Sequence, residues 1–256
     1  MSANTNRAVW IDLGVPDLEQ ATDFYGRVFG WTFTDGGDEY GHYHQITASD
    51  GSLVGGLMQN PDPAMPVFWM VYFGTNDAEG TSATIAQSGG SVFRPAMPVG
   101  DMGSMAIVTA PSGATFGLWQ AGTLSGFGEP TCTGMAMLVD TPTKDLTADV
   151  AAYEKAFGWD IVYGDGEGGE KFATVGPYED AQICLFDAAE MFPADHPSSW
   201  RVFFRTDDMD ATVAAIKDAG GVVTDGPVEE EEGTVVATAK DPFGAVFLVM
   251  QVDGTL

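Results

Sequence analysis

The chain writes one helix ending twice. "FYGRVFGW" (24–31) and "YEKAFGW" (153–159) both close an amphipathic stretch on Gly–Trp, and Tyr25, Phe29, Gly30 and Trp31 recur 128 residues on as Tyr153, Phe157, Gly158 and Trp159. A second segment repeats with its own offset of 131, "VYFGTND" (71–77) returning as "VFFRTDD" (202–208). Repeats of this length are copies of a supersecondary unit, so they point to tandem modules rather than a doubly wound sheet.

The content of each module follows from local pattern. "AVWIDLGV" (8–15) alternates and is rich in β-branched and aromatic residues, the mark of a strand, and Pro16 and Asp17 end it. Asp17 with Gln20 three residues on reads as a helix N-cap. The helix 18–29 places Ala21, Phe24, Tyr25, Val28 and Phe29 on one face, and Gly30 supplies the left-handed C-terminal position. Strands then follow from Trp31, over 40–48 and over 52–59. Weaker helices around "IAQSGG" (85–90) and "IKDAGG" (216–221), and the closing hairpins "APSGATFGLWQ" (110–120) and "DPFGAVFLVMQ" (241–251), complete the others. The predicted fold class is α+β, four βαβββ modules in the order A, B, A′, B′. Two domains are expected, 1–122 and 131–256, divided by the Gly- and Pro-containing linker 121–132.

Charge narrows the function. Thirty-seven acids against ten Lys plus Arg give a net charge of −27, which repels phosphate backbones and anionic lipid surfaces. No nucleic-acid or membrane partner is expected. Glu229–Glu232 reads as a solvated loop or hairpin tip, because four adjacent carboxylates cannot converge on one ion. No apolar run approaches the roughly 18 residues that cross a bilayer, and the first residues lack the order of a secretory signal, so a cytoplasmic location is expected. Cys132 and Cys184 form no CxxC; Cys184, in "AQICLF", reads as a small buried hydrophobe. His196, in a Pro-bounded loop, reads as surface.

Strand, "PDLEQATDFYGRVFGW", three strands and a "DPFGAVF" hairpin resemble the vicinal oxygen chelate superfamily, also called the glyoxalase, bleomycin-resistance and dioxygenase superfamily. The match covers nearly the whole chain and extends to a two-domain actinobacterial subgroup labelled glyoxalase-like or "hydroxylase", which includes a mycobacterial antigen. The resemblance implies paired modules curled into two half-open eight-stranded barrels, each around a cavity. It fixes fold and leaves the reaction open, since the fold hosts lyases, isomerases, dioxygenases and pure binders. It also implies where a divalent metal would be held. The usual histidine falls seven residues before the helix-capping aspartate, at Trp10, Met70, Leu138 and Arg201. The usual glutamate falls at Gly56, Gly117 and Leu248, and near Ile183 or Cys184. The expected reading is that the standard metal tetrad is missing.

Period-two alternation places Trp10, Asp12, Met58, Met70, Tyr72 and Trp119 on inward faces of the first half, an aromatic and Met-containing wall with one acid. Such a wall suits a flat apolar ligand, with Asp12 as counter-charge or acid–base group; simple barrel packing is the rival reading. In the second half Arg201, Phe203, Leu248 and Met250 point inward, with Arg205 a further candidate. Arg201 suits a carboxylate or phosphate, or a salt bridge to an acid such as Asp140. His42 and His44 form an HxH pair on the third strand which, with Asp12, is the alternative metal set. The primary expectation is a small-molecule binder of unproven activity with no assigned cofactor. The alternative is a glyoxalase-like lyase or an oxygenase/hydroxylase using a divalent metal at His42, His44 and Asp12. A homodimer is compatible with either.

Overall fold

The computed structural model describes residues 7–166, 168–191, 198–231 and 233–252. His196 and Glu232 lie outside the described residues. The elements run in the expected order. Module A has β1 (Ala8–Val15), α1 (Leu18–Phe29), β2 (Thr32–Asp35), β3 (His44–Thr47) and β4 (Leu53–Gln59). Module B has β5 (Trp69–Gly74), α2 (Ala78–Gln87), β6 (Ser91–Val99), β7 (Gly103–Thr109) and β8 (Thr115–Ala121). Module A′ has β9 (Ala136–Thr143), α3 (Leu146–Phe157), β10 (Ile161–Asp165), β11 (Lys171–Val175) and β12 (Ile183–Asp187). Module B′ has β13 (Arg201–Arg205), α4 (Met209–Asp218), β14 (Val222–Glu231), β15 (Thr234–Lys240) and β16 (Val246–Val252).

Helix starts and stops come from local chemistry. Asp17, Asp77, Asp145 and Asp208 each cap a helix by accepting a hydrogen bond from the backbone N–H three residues on. Gly30 (φ 71°) and Gly158 (φ 69°) close α1 and α3 in the left-handed conformation that glycine adopts without steric cost. Three glutamines at strand ends add a second cap: Gln59, Gln120 and Gln251 accept from the N–H of Leu18, Ala78 and Met209 at 3.2, 3.0 and 2.7 Å. They satisfy first-turn donors that the helix itself cannot pair.

The strands form two eight-stranded sheets, in the order β2-β3-β4-β1-β5-β8-β7-β6 and β10-β11-β12-β9-β13-β16-β15-β14, and neither closes on itself. By contact density the chain also divides into two compact units. The first unit comprises Met1–Trp10, Met70–Gly126 and Leu138–Trp200; the second comprises Ile11–Trp69, Phe127–Met137 and Arg201–Leu256. Modules thus pair one way in their sheets and another way in their helix layers.

In the first unit α2 packs on α3, and Phe73, Phe116, Tyr153, Phe157, Trp159 and Trp200 form one aromatic cluster. In the second unit α1 packs on α4, and Phe24, Tyr25, Phe29, Trp31, Trp69, Phe204 and Phe247 form its counterpart. Each core seats a buried carboxylate against a glycine turn, supplied from opposite partners. In the second unit Asp241, in the turn before β16, accepts from the N–H of Phe243 and Ala245 and from the Tyr25 hydroxyl at 3.1 Å. In the first unit the matching turn residue is Ala110, and Asp149 on α3 reaches across instead. It accepts from the Ser112 N–H at 3.0 Å, the Ser112 hydroxyl and the Thr143 hydroxyl at 2.5 Å. Burial pushes both carboxyls above the ordinary carboxylate range. Burial, reinforced by the neighbouring carboxylate, does the same for the phenols of Tyr25 and Tyr153.

Two expectations are corrected by the backbone and by burial. The strand expected over 40–48 begins only at His44, because Asp38–Tyr40 forms a 3-10 turn and His42 sits at φ 59°, off the extended path. Cys184, expected to be buried, is only partly covered.

Candidate functional site

On β1 the side chains divide cleanly between two faces. Ile11, Leu13 and Val15 are wholly buried, the covered side of a strand packed under helices. Trp10, Asp12 and Gly14 take the opposite, inward parity. The inward residues fall in both units, one set in each.

In the second unit, β1 pairs with β4 in parallel register, Asp12 opposite Gly56 and Gly14 opposite Met58. Gln45 on β3 is also opposite Gly56, and continuing that ladder sets Tyr43 beside Met58. Asp12, Gly14, Tyr43, Gln45, Gly56 and Met58 therefore share one face. Asp12 is buried, with 8% of its surface exposed. Two glycines leave room that larger residues fill. A Cβ built on Gly56 would fall 1.6 Å from the Tyr43 hydroxyl oxygen, and one on Gly14 would fall 2.1 Å from the Asn60 Oδ1. The Tyr43 phenol and the Asn60 amide thus lie directly over the sheet floor beside Asp12.

The paired histidines are not brought to this face. His44 pairs with the wholly buried Leu57, so its parity is opposite to that of Asp12, and its Nδ1 bonds the His42 carbonyl at 2.8 Å. His42 is exposed and clasped between two carboxylates, Nδ1 to Asp35 Oδ2 at 2.9 Å and Nε2 to Asp38 Oδ1 at 3.0 Å. The hydrogen bond that His42 donates to Asp35, with the charge of that carboxylate, raises the His42 pKa, and the same bond lowers that of Asp35. When protonated, a ring that donates from both nitrogens to carboxylates has no lone pair for a metal. Elsewhere in this unit Arg201 and Arg205 begin and end β13 with the buried Phe203 between them. Arg205 is taken up structurally, its Nε 3.1 Å from Asp207 and its Nη1 donating to the Pro130 carbonyl. Phe203 lies opposite Leu248, and Arg205 opposite Met250.

In the first unit, Tyr72 lies opposite Gly117 and Gly74 opposite Trp119, so Met70, Tyr72, Gly117 and Trp119 share the inward face of β5 and β8. Met105 on β7 pairs with Trp119 and joins them. A Cβ on Gly117 would fall 2.0 Å from the Tyr72 ring: here too an aromatic side chain occupies the space above a glycine. Trp119 is fixed by its indole N–H donating to the Leu124 carbonyl at 2.8 Å. Trp10 and Trp119 are each 8% exposed, Tyr72 5%, and Met70 and Met105 are half-buried. On β9, Asp140 lies opposite Cys184, the register that Asp12 and Gly56 have in module A. That register makes Leu138 the counterpart of Trp10 and Cys184 the counterpart of Gly56.

Residues at the positions where the resemblance puts metal ligands are therefore Trp10, Leu138, Met70, Arg201, Gly56, Gly117, Cys184 and Leu248. None is a histidine or a carboxylate; the Met70 thioether and the Cys184 thiol, partly covered opposite Asp140, are the soft groups among them. Among the described residues no group of three or more His, Cys, Asp or Glu side chains is gathered for a metal. Tyr43 and Asn60 were not singled out by sequence reasoning. The two glycines beneath them were the available signal, since a strand glycine marks a place where something approaches closely.

Comparison with known proteins agrees with this architecture. The family model described as Glyoxalase/Bleomycin resistance protein/Dioxygenase superfamily matches twice, over residues 7–118 and 137–249. The anthracycline biosynthesis protein DauV of Streptomyces sp. (strain C5) is 31% identical, over 94% of this chain and 92% of DauV. Among solved structures, the 2,3-dioxygenase LapB from Pseudomonas sp. KL28 superposes with a TM-score of 0.67 at 14% identity, covering 98% of this chain and 93% of LapB. The Mn(II)-bound glyoxalase from Novosphingobium aromaticivorans also gives 0.67, at 15% identity, covering 98% and 84%. Structural likeness at such low identity speaks to fold alone.

Proposed function

The chain belongs to the Glyoxalase/Bleomycin resistance protein/Dioxygenase superfamily, and from that premise we propose that it binds a small, flat aromatic molecule through side chains rather than through the superfamily's metal tetrad. The observation that carries this reading is the filling of two glycine seats by aromatic groups. Where a metal-ligating glutamate would project, Gly117 has the Tyr72 ring above it and Gly56 has the Tyr43 hydroxyl. A carboxylate side chain at either place would need the tyrosine to leave. The contact surface on the first unit is Trp10, Met70, Tyr72 and Trp119, aromatic rings and a polarizable thioether that match the face of a fused-ring ligand. In the second unit Asp12 and Met58 carry the same inward parity, and Arg201 and Phe203 begin β13. A relative named for anthracycline biosynthesis makes a fused-ring aromatic the chemistry to test first.

Titration of the tryptophan fluorescence with anthraquinone should show saturable quenching. Trp119→Phe and Tyr72→Leu should each weaken binding about tenfold, the equivalent of about 1.4 kcal/mol. Absence of quenching across a panel of fused-ring compounds would remove the reading. A second reading, a lyase or oxygenase using a divalent metal, draws on the structural likeness to a Mn(II)-bound glyoxalase. Elemental analysis separates the two: about one Mn, Fe, Ni or Zn per purified chain, with ligand binding lost on chelation, favours the enzyme.

A further inference from the structure

On the inward face of the second unit, one buried donor has nothing to bond. The Asn60 side chain is 7% exposed, lies over Gly14 two residues beyond Asp12, and its Nδ2 has no hydrogen-bond partner. An unpaired buried amide N–H forgoes the bonds it would make in water, so a fold retains one at a cost in stability. Its backbone N–H is employed, donating to the Val15 carbonyl at 2.7 Å. Beside it stand the Asp12 carboxylate and, over Gly56 directly opposite Asp12, the Tyr43 hydroxyl. Paired strands lie about 4.8 Å apart and alternate residues on one strand about 6.6 Å apart. The three polar groups therefore span the width of a single ring edge.

The molecule contains a counterpart of this corner. Module A′ repeats this corner with the same backbone bond, the Ala188 N–H donating to the Thr143 carbonyl at 2.8 Å, and the same strand register, Asp140 opposite Cys184. There the Asn60 position is Ala188 and the Tyr43 position, set by pairing with Phe186, is Phe172. The aspartate is retained and both donors are gone. The floor differs as well, Pro142 standing for Gly14 and Cys184 for Gly56, so A′ fills from below the space that Asn60 and Tyr43 fill from above; packing accounts for their bulk and leaves the unpaired Asn60 donor unexplained.

We infer that Asp12, Tyr43 and Asn60 form a polar subsite that reads the oxygen-bearing edge of an aromatic ligand, a hydroxyl next to a ring carbonyl. Asn60 Nδ2 donates to the carbonyl oxygen, the Asp12 carboxylate accepts from the adjacent hydroxyl, and the Tyr43 hydroxyl above Gly56 keeps that corner polar. Hydroxyquinones carry this pattern; unsubstituted hydrocarbons do not. The inference rests on the reading of the chain as a binder of small aromatic molecules and goes further by naming the ligand's functional groups and the residues that read them.

The test uses the full-length chain and the double variant Tyr43→Phe, Asn60→Ala, which writes the A′ residues into module A. Binding of 1-hydroxyanthraquinone and of anthracene is followed by fluorescence, and Tm is measured without ligand. The expected result is at least tenfold weaker binding of 1-hydroxyanthraquinone by the variant, anthracene affinity within twofold, and a Tm equal to or above that of the wild type. A lowered Tm with both affinities reduced together makes the residues structural and overturns the inference. So does a wild type that binds anthracene and 1-hydroxyanthraquinone equally well. If the wild type binds neither compound, the aromatic-ligand reading fails, and this inference with it.

Discussion

His42 shows how one dihedral angle redirects chemistry. At φ 59° it leaves the strand path and swings its ring between Asp35 and Asp38. Both nitrogens then face carboxylates, an arrangement complete only for the imidazolium. The His42 pKa is raised above its ordinary 6.5, so its contribution is fully present below that value and fades as pH rises through the higher folded pKa. The Asp35 pKa is lowered from 3.8, so its contribution is present above that value and fades as pH falls through the lower folded pKa. The clasp is therefore strongest between about 4 and 6.5. An NMR titration of the His42 ring should give a midpoint above 6.5, returning toward that value in Asp35→Asn. A midpoint at or below 6.5 in the wild type would refute the clasp. None of this was legible in "HYH", because alternation arguments assume an extended backbone and the glycine-rich turn before His44 breaks it.

Among elements, the helix caps were written plainly in the sequence and the buried carboxylates were not. Asp17 and Gly30 announce α1 by residue type alone. Asp149 looks like an ordinary helix-surface acid until α3 packs beside α2 and sets it against the Ser112 turn. The two cores solve one problem, the unpaired N–H groups of a glycine turn, from opposite partners: Asp241 within its own turn, Asp149 from the helix. Asp149→Ala should strand the Ser112 and Thr143 donors and cost about 2–3 kcal/mol in urea unfolding. Adding Ala110→Asp should recover more than half, since the turn then matches the one at Asp241. Additive losses in the double variant would show that the two sites are not alternatives. A smaller effect is expected at the strand-end glutamines: Gln120→Ala removes one acceptor from the α2 N-terminus and should cost about 1 kcal/mol.

For the whole molecule, the excess of acids is the dominant feature of the composition. A net charge of −27 spread over 256 residues opposes compaction by self-repulsion. Raising NaCl shortens the screening length to roughly 3 Å at 1 M. Tm should therefore climb steeply from low salt and flatten toward about 1 M, and a flat profile would mean that the acids are already offset locally. The sequence by itself determined the modules, their order, their caps and the inward parity of β1, because these depend on contacts between near neighbours and on the fixed geometry of strand and helix. Tertiary structure alone decided which modules share a sheet and which share a helix layer. It also set Tyr43 and Asn60 over glycines and kept His44 off the Asp12 face. Those outcomes depend on register between segments distant in the chain, where a shift of one residue turns every side chain to the other face.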